Sequence, residues 1–155
     1  MILIIMGSDS DKEIMTQAEQ QLKEFGIPSE TVVASAHRDP EKVGTIAASA
    51  EGKYDVIIAG AGKAAHLAGV IAGHTIVPVI GVPIKTSDLG GMDSLLSMVQ
   101  MPSGVPVATV AINGAKNAAI LAAQIVALKD PALKKTLSQF KEKLNVGAHL
   151  GETGI

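Results

Sequence analysis

The stretch Ile2-Leu3-Ile4-Ile5-Met6-Gly7-Ser8-Asp9-Ser10-Asp11 joins a continuous apolar run to a turn of small and polar residues. A short run that is apolar at every position is typical of a parallel strand covered on both faces. The helical pattern that follows, from Asp11 to Phe25, places Ala18 and Leu22 on one face and stops at Gly26, which suits a helix C-terminus. This stretch predicts a strand at Ile2–Met6, followed by a turn and a helix.

The same unit recurs along the chain. Four further apolar runs predict strands at Thr31–Ala34, Val56–Ala59, Val77–Gly81 and Val107–Ile112. The second helix is predicted to begin at Pro40, with Asp39 as its cap. Four further helices are predicted at Lys63–Ala72, Asp93–Val99, Lys116–Leu128 and Pro131–Leu144. The alternation predicts an α/β protein: a three-layer αβα sandwich with a flavodoxin/Rossmann-like five-stranded parallel sheet and an extra C-terminal helix.

The length of 155 residues indicates a single domain, 1–155. We expect residues 1–128 to form the α/β core. Residues 129–155 would form a C-terminal helix and tail that pack on a neighbouring subunit, and the tail from Asn145 to Ile155, which holds three glycines, is expected to be weakly ordered.

Composition excludes several classes of function. A net charge of −2 without a basic stripe argues against binding to nucleic acid or an anionic membrane. The absence of cysteine excludes disulfides, thiolate metal sites and a cysteine nucleophile. The N-terminal apolar run is too short for a secretory or membrane-spanning segment, so we expect a cytoplasmic protein. A hydrophobic content of 47% is high for a small monomer and favours a homo-oligomer whose interfaces cover the surplus.

Right-handed crossovers bring all the strand-to-helix turns to one edge of a parallel sheet, where small ligands bind. The predicted turns are Gly7–Asp11, Ser35–Arg38, Gly60–Lys63, Gly81–Lys85 and Asn113–Lys116. Within Ser35-Ala36-His37-Arg38, a titratable imidazole stands beside a fixed cation. This pair favours a binding corner for a small ligand.

Structural roles for several of these residues remain open. Ser8, Ser10 and Asp11 are of the types preferred as helix caps, and an aspartate here could instead accept ribose hydroxyls or pair with Arg38. His66 lies inside a predicted apolar helix, where a buried histidine bonded to a carbonyl is the common outcome.

Other functional classes fit less well. His66 and His74 are eight residues apart, about 12 Å along a helix, so we assign no metal site. The run Gly60–Ala65 fits a loose dinucleotide fingerprint, but no acidic residue follows at the spacing that would hold a ribose. A receiver-like signalling module would need an aspartate at the end of the third strand, where Ala59-Gly60 stands.

Four motifs carry a resemblance to a known family. They are Gly7-Ser8-Asp9-Ser10-Asp11, Ser35-Ala36-His37-Arg38, Ala59-Gly60-Ala61-Gly62 with Ala64-Ala65-His66-Leu67, and Gln100-Met101-Pro102-Ser103-Gly104-Val105-Pro106. Their order resembles the bacterial N5-carboxyaminoimidazole ribonucleotide mutases of purine biosynthesis, over about residues 1–128. The related direct carboxylases, which use aminoimidazole ribonucleotide and carbon dioxide, typically have lysine at the position of Arg38. That activity is the alternative.

The resemblance implies a cofactor-free isomerase that moves a carboxylate from the exocyclic nitrogen to ring carbon C4, by decarboxylation and recarboxylation. It implies that His37 is the catalytic proton shuttle and that Ser8, Asp11 and Arg38 bind the nucleotide substrate. Further pocket residues would be Ser10, Ser35, Gly62, His66 and Leu67. It also implies a homo-octamer. The chain departs from the family pattern at Lys63, where glycine is typical, and at Ala68, where proline is typical.

Overall fold

A computed structural model of the chain describes residues 1–145. The strands are β1 (Ile2–Met6), β2 (Ser29–Val33), β3 (Val56–Ala61), β4 (Val79–Pro83) and β5 (Ala108–Thr109). The helices are α1 (Lys12–Glu24), α2 (Pro40–Ala48), α3 (Leu67–Ala72), α4 (Met92–Val99), α5 (Ala115–Val126) and α6 (Pro131–Asn145). In this part of the chain, no helix combines the length and apolar character needed to cross a membrane.

The strands form one parallel sheet in the order β2-β1-β3-β4-β5. Ile2 at the start of β1 pairs with Ser29 on one side and Val56 on the other. The predicted five-stranded parallel sheet with helices on both faces is therefore confirmed. Because β2 lies on one side of β1 and the later strands lie on the other, the sheet has a topological switch point between β1 and β3. Such a switch point opens a crevice at the carboxyl ends of the strands.

Each face of the sheet is covered by helices. Side chains of β1 alternate: Ile2, Ile4 and Met6 pack in a core with α1, α5 and α6, whereas Leu3 and Ile5 pack in a second core with α2, α3 and α4. All five residues of β1 are at most 1% exposed. Burial on both faces explains why the run is apolar at every position.

Two predicted elements were wrong in extent. The helix predicted from Lys63 begins at Leu67, because Ala64 has a φ of +47°, a left-handed conformation that cannot continue an α-helix. His66 is therefore the N-cap residue of α3 and does not lie inside it. The strand predicted over Val107–Ile112 is only Ala108–Thr109, because its pairing with β4 is limited to Ile80 with Ala108 and Gly81 with Thr109. The predicted bounds of β2, β3 and β4 also differ from the observed ones by one or two residues at one or both ends.

The last helix packs on its own chain. Its N-terminus is capped by Asp130, whose Oδ1 accepts from the amides of Ala132 and Leu133, both at 3.0 Å. Leu133 and Leu137 are buried in the core shared with α1 and α5, and the ring of Phe140 meets that of Phe25 edge-on. Packing of residues 129–155 on a neighbouring subunit stays a prediction. The expected weak order of the tail falls outside the described residues.

Candidate active site

A cavity of about 550 Å³ lies at the carboxyl ends of the first four strands. The loops after β1, β2, β3 and β4 all contribute to its walls. Of the residues singled out from the sequence, those that line it are Ser8, Ser10, Asp11, Ser35, His37, Arg38, Gly62 and Leu67. Parallel strands place these distant segments together, because their carboxyl ends meet at one edge of the sheet.

The loop after β1 is organised by two serines. The Ser8 hydroxyl caps a single 3-10 turn, accepting from the Ser10 amide at 3.4 Å and from the Ser10 hydroxyl at 3.1 Å. Ser8 also lines the cavity, so its capping role leaves it placed where it could contact a ligand, and that contact stays a prediction.

Asp11 lies at the base of the cavity and is only 7% exposed. Burial raises the pKa of its carboxyl group, an effect opposed by hydrogen bonds from the Ser8 backbone and the Ser10 side chain. The Oδ1 atom is 3.5 Å from the Ser10 hydroxyl oxygen. A buried carboxylate with unused acceptor capacity can bind the hydroxyl groups of a ligand.

Arg38 bridges the loops after β1 and β2. Its Nε donates to the Ser35 hydroxyl at 3.4 Å, and one terminal nitrogen donates to the carbonyl of Gly7 at 3.3 Å. Among the described residues it forms no ion pair with an aspartate, so that alternative is wrong. The guanidinium remains exposed, and its other N–H groups are available to an anionic ligand.

Two imidazoles meet at the mouth of the cavity. Nε2 of His37 lies 2.8 Å from Nδ1 of His66, with the rings edge-on at a centroid distance of 4.9 Å. Both residues are exposed, so His66 is not the buried, carbonyl-bonded histidine that an apolar helix would favour. His66 is not among the lining residues and is joined to the cavity through His37. The hydrogen bond couples the tautomer of one ring to that of the other.

The end of β3 and the loop that follows it depend on two glycines. A side chain at Gly60 would overlap Met15, and a Cβ atom at Gly62 would lie 3.3 Å from Cγ2 of Thr86. Gly60 lets the end of β3 approach α1 closely, and Gly62 lets the following loop approach the loop after β4. Lys63, which follows, lines the cavity and forms an ion pair with Asp88.

The loop after β4 supplies lining residues that were not singled out as site residues from the sequence. They are Ile84, Lys85, Thr86 and Ser87. Their position immediately after a parallel strand was the available signal. The fifth turn contributes differently: the Asn113 side chain accepts from the Lys85 amide at 2.8 Å and holds this loop in place.

The motif Gln100–Pro106 lies away from the cavity, and Met101 packs against Gly69 of α3. Over residues 1–145, no three histidine or acidic side chains are grouped as a metal site would require.

Comparison with known proteins agrees with this arrangement. The family model described as AIR carboxylase matches residues 1–146. The chain is 57% identical over 142 residues to the N5-carboxyaminoimidazole ribonucleotide mutase of Thermotoga maritima, a match covering 91% of this chain and 83% of that protein. It is 56% identical over 142 residues to the enzyme of the same name from Pyrococcus horikoshii, covering 91% and 80%.

A solved structure has the same fold. The crystal structure of Treponema denticola PurE superimposes with a TM-score of 0.86 at 30% identity, covering 95% of this chain and 92% of that chain. The family model spans nearly the whole chain, and the curated relatives are more than half identical to it. The chain therefore belongs to the AIR carboxylase family.

Proposed function

We propose that this protein is an isomerase of purine biosynthesis that converts N5-carboxyaminoimidazole ribonucleotide to 4-carboxy-5-aminoimidazole ribonucleotide. The observation that carries the proposal is the convergence of His37, Arg38 and Asp11 on one cavity, in a chain 57% identical to a curated mutase. The substrate carries a phosphate, a ribose and a carboxylate, and the cavity offers a group suited to each.

Arg38 and Lys85 would bind the anionic groups of the substrate. A guanidinium held by Ser35 and Gly7 is pre-positioned for a phosphate, because it presents a planar set of donors. Asp11 would accept the ribose hydroxyls. The other lining residues carried by the resemblance are Ser8, Ser10, Ser35, Gly62 and Leu67.

His37 would move the proton in both half-reactions. It donates a proton to the exocyclic nitrogen as the nitrogen–carboxylate bond breaks and carbon dioxide forms. C4 then attacks the carbon dioxide, a carbon–carbon bond forms, and His37 removes the C4 proton, so that no proton is gained or lost overall. His66 would fix the tautomer and orientation of His37 through the 2.8 Å contact.

We also propose that the active form is a homo-oligomer, an octamer by resemblance, in the cytoplasm. An apolar stripe on α4 supports the association. Met92, Leu96 and Val99 lie one turn apart along the helix and are 53%, 49% and 51% exposed. Light scattering at micromolar concentration tests this, and a monomer would contradict it.

Direct carboxylation of aminoimidazole ribonucleotide is disfavoured, because these curated relatives carry the mutase name and Arg38 stands where the carboxylases typically have lysine. The deciding experiment compares two substrates in parallel: fresh N5-carboxyaminoimidazole ribonucleotide, and aminoimidazole ribonucleotide with bicarbonate. Fast formation of the C4-carboxylated product from the first alone supports the mutase. Product from the second alone would assign the carboxylase, and no product from either would contradict both activities.

A further inference from the structure

The loop between β4 and α4 has a base, residues 84–86, that is held by hydrogen bonds, and a tip, residues 87–90, that has fewer side-chain contacts. At its base, the Ile84 carbonyl accepts from the Ser94 hydroxyl at 2.9 Å, and the Lys85 amide donates to Asn113 at 2.8 Å. Thr86 donates to the Asp93 carboxylate at 3.3 Å. Ser87, which follows Thr86, also lines the cavity, and the chain then continues to Met92 at the start of α4.

Within the described residues, the tip is joined to the loop after β3 by the ion pair between Asp88 and Lys63. Lys63 belongs to the loop after β3. Lys63 and Ser87, the neighbour of Asp88, both line the cavity, so the ion pair joins two of the loops that form its walls. The neighbouring carboxylate of Asp88 also raises the pKa of Lys63, which keeps the amine charged.

The position of this pair differs from that of the other ion pairs of the described residues. Those pairs join Met1, Glu30, Lys53, Asp55 and Lys129 at the amino end of the sheet, opposite the cavity. Lys63 is also one of the two places where the chain departs from the pattern of the family it resembles. A glycine at that position would leave Asp88 without this partner.

We infer that Lys63 and Asp88 are positioning residues whose ion pair holds the tip of the β4–α4 loop against the cavity mouth and retains carbon dioxide between the two half-reactions. The inference rests on the proposed function. Water must stay out and the gas must stay in until C4 attacks, and closure of a loop over a site serves both needs. The side chains of Lys63 and Asp88 are 65% and 59% exposed, so the ion pair is weak, and we expect only a modest effect on the retention of carbon dioxide.

The test measures how the substrate is partitioned. Each turnover that loses carbon dioxide releases aminoimidazole ribonucleotide, whereas each completed turnover yields the C4-carboxylated product. The released fraction is the share of turnovers that release aminoimidazole ribonucleotide, measured after subtraction of an enzyme-free blank. We expect Lys63→Met and Asp88→Asn to raise this released fraction about two- to fivefold. The exchanged pair, Lys63→Glu with Asp88→Lys, should return the fraction towards that of the wild type. Lys129→Met, which alters an exposed ion pair away from the cavity, is the matched control.

An unchanged released fraction in Asp88→Asn would overturn the inference. An increase in Lys63→Met that the exchanged pair does not reverse would also overturn it, because Lys63 would then act directly on the substrate. A second readout does not depend on turnover: amide hydrogen exchange over residues 85–91 should be faster in both single variants and normal in the exchanged pair. If the wild type forms no product, the proposed function fails, whereas unchanged exchange in the variants refutes the positioning role.

Discussion

Nε2 of His37 lies 2.8 Å from Nδ1 of His66, which joins the loop after β2 to the N-terminus of α3. The two residues are 29 positions apart in the sequence. Only one proton can lie between the two nitrogens, so the hydrogen bond constrains which nitrogen of His37 is protonated. The pair is therefore the part of the site in which proton transfer and orientation are coupled.

Replacing His37 with asparagine should abolish turnover while substrate still binds. Asparagine retains a polar group of similar size but cannot shuttle a proton at neutral pH, and we expect kcat to fall by about a thousandfold or more. Steady-state kinetics and a direct binding measurement check the two parts. His74→Asn, at an exposed histidine outside the cavity, should stay within about twofold of the wild type. Retained activity in His37→Asn would refute the proton-shuttle role.

Replacing His66 with phenylalanine should lower kcat about ten- to a hundredfold and leave KM nearly unchanged. The ring is kept, but the acceptor or donor for His37 is lost, and His66 is not among the residues lining the cavity. His66→Asn, which can still form a hydrogen bond, should recover part of the loss. A rise in KM without a change in kcat would instead mean that His66 binds substrate.

Replacing Asp11 with asparagine should stabilise the free protein and impair catalysis. The pKa of Asp11 is raised by burial, so the folded state holds this proton more tightly than the unfolded chain. The wild type therefore loses stability as pH rises from below 3.8, the ordinary pKa of an aspartate, through the raised pKa, and Asp11→Asn does not. We expect a gain of about 0.5–2 kcal/mol at pH 7.

Thermal unfolding as a function of pH measures this effect. The difference in stability between the wild type and Asp11→Asn should shrink at pH values below 3.8, where the wild-type carboxyl is protonated in both states. A difference that stays constant over the whole pH range would show that the charge of Asp11 is not its cause.

Replacing Gln21 with methionine should raise the free energy of unfolding by about 0.5–1 kcal/mol. Gln21 is 1% exposed, and its Oε1 atom has no hydrogen-bond partner, although its Nε2 donates to Glu24 at 3.0 Å. Methionine removes the unpaired acceptor at similar volume. Urea denaturation measures the change, and Gln20→Met, at an exposed position of the same helix, is the control. Destabilisation would mean that the bond to Glu24 outweighs the unpaired oxygen.

The sheet could be predicted from the sequence because burial on both faces leaves a local signature. The run Ile2–Met6 is apolar throughout, and its predicted bounds were confirmed without change. The start of α2 at Pro40 was likewise predicted, because Asp39 caps it through the Lys42 amide at 3.2 Å. The bounds of α3 and β5 were predicted wrongly. The positive φ of Ala64 and the edge position of β5 arise from tertiary contacts, which local periodicity does not report.

By itself, the sequence determined the order of the elements, the edge of the sheet where chemistry is possible, and the group of side chains brought to it. Short-range patterns carry this information, since strand burial, caps and turns depend on neighbouring residues. Only the tertiary structure decided the pairings: His37 with His66, Arg38 with Ser35 and the Gly7 carbonyl, and Lys63 with Asp88. Most of these contacts join loops that follow different strands, and their distances depend on how the strands align in the sheet, which no single segment of the chain specifies.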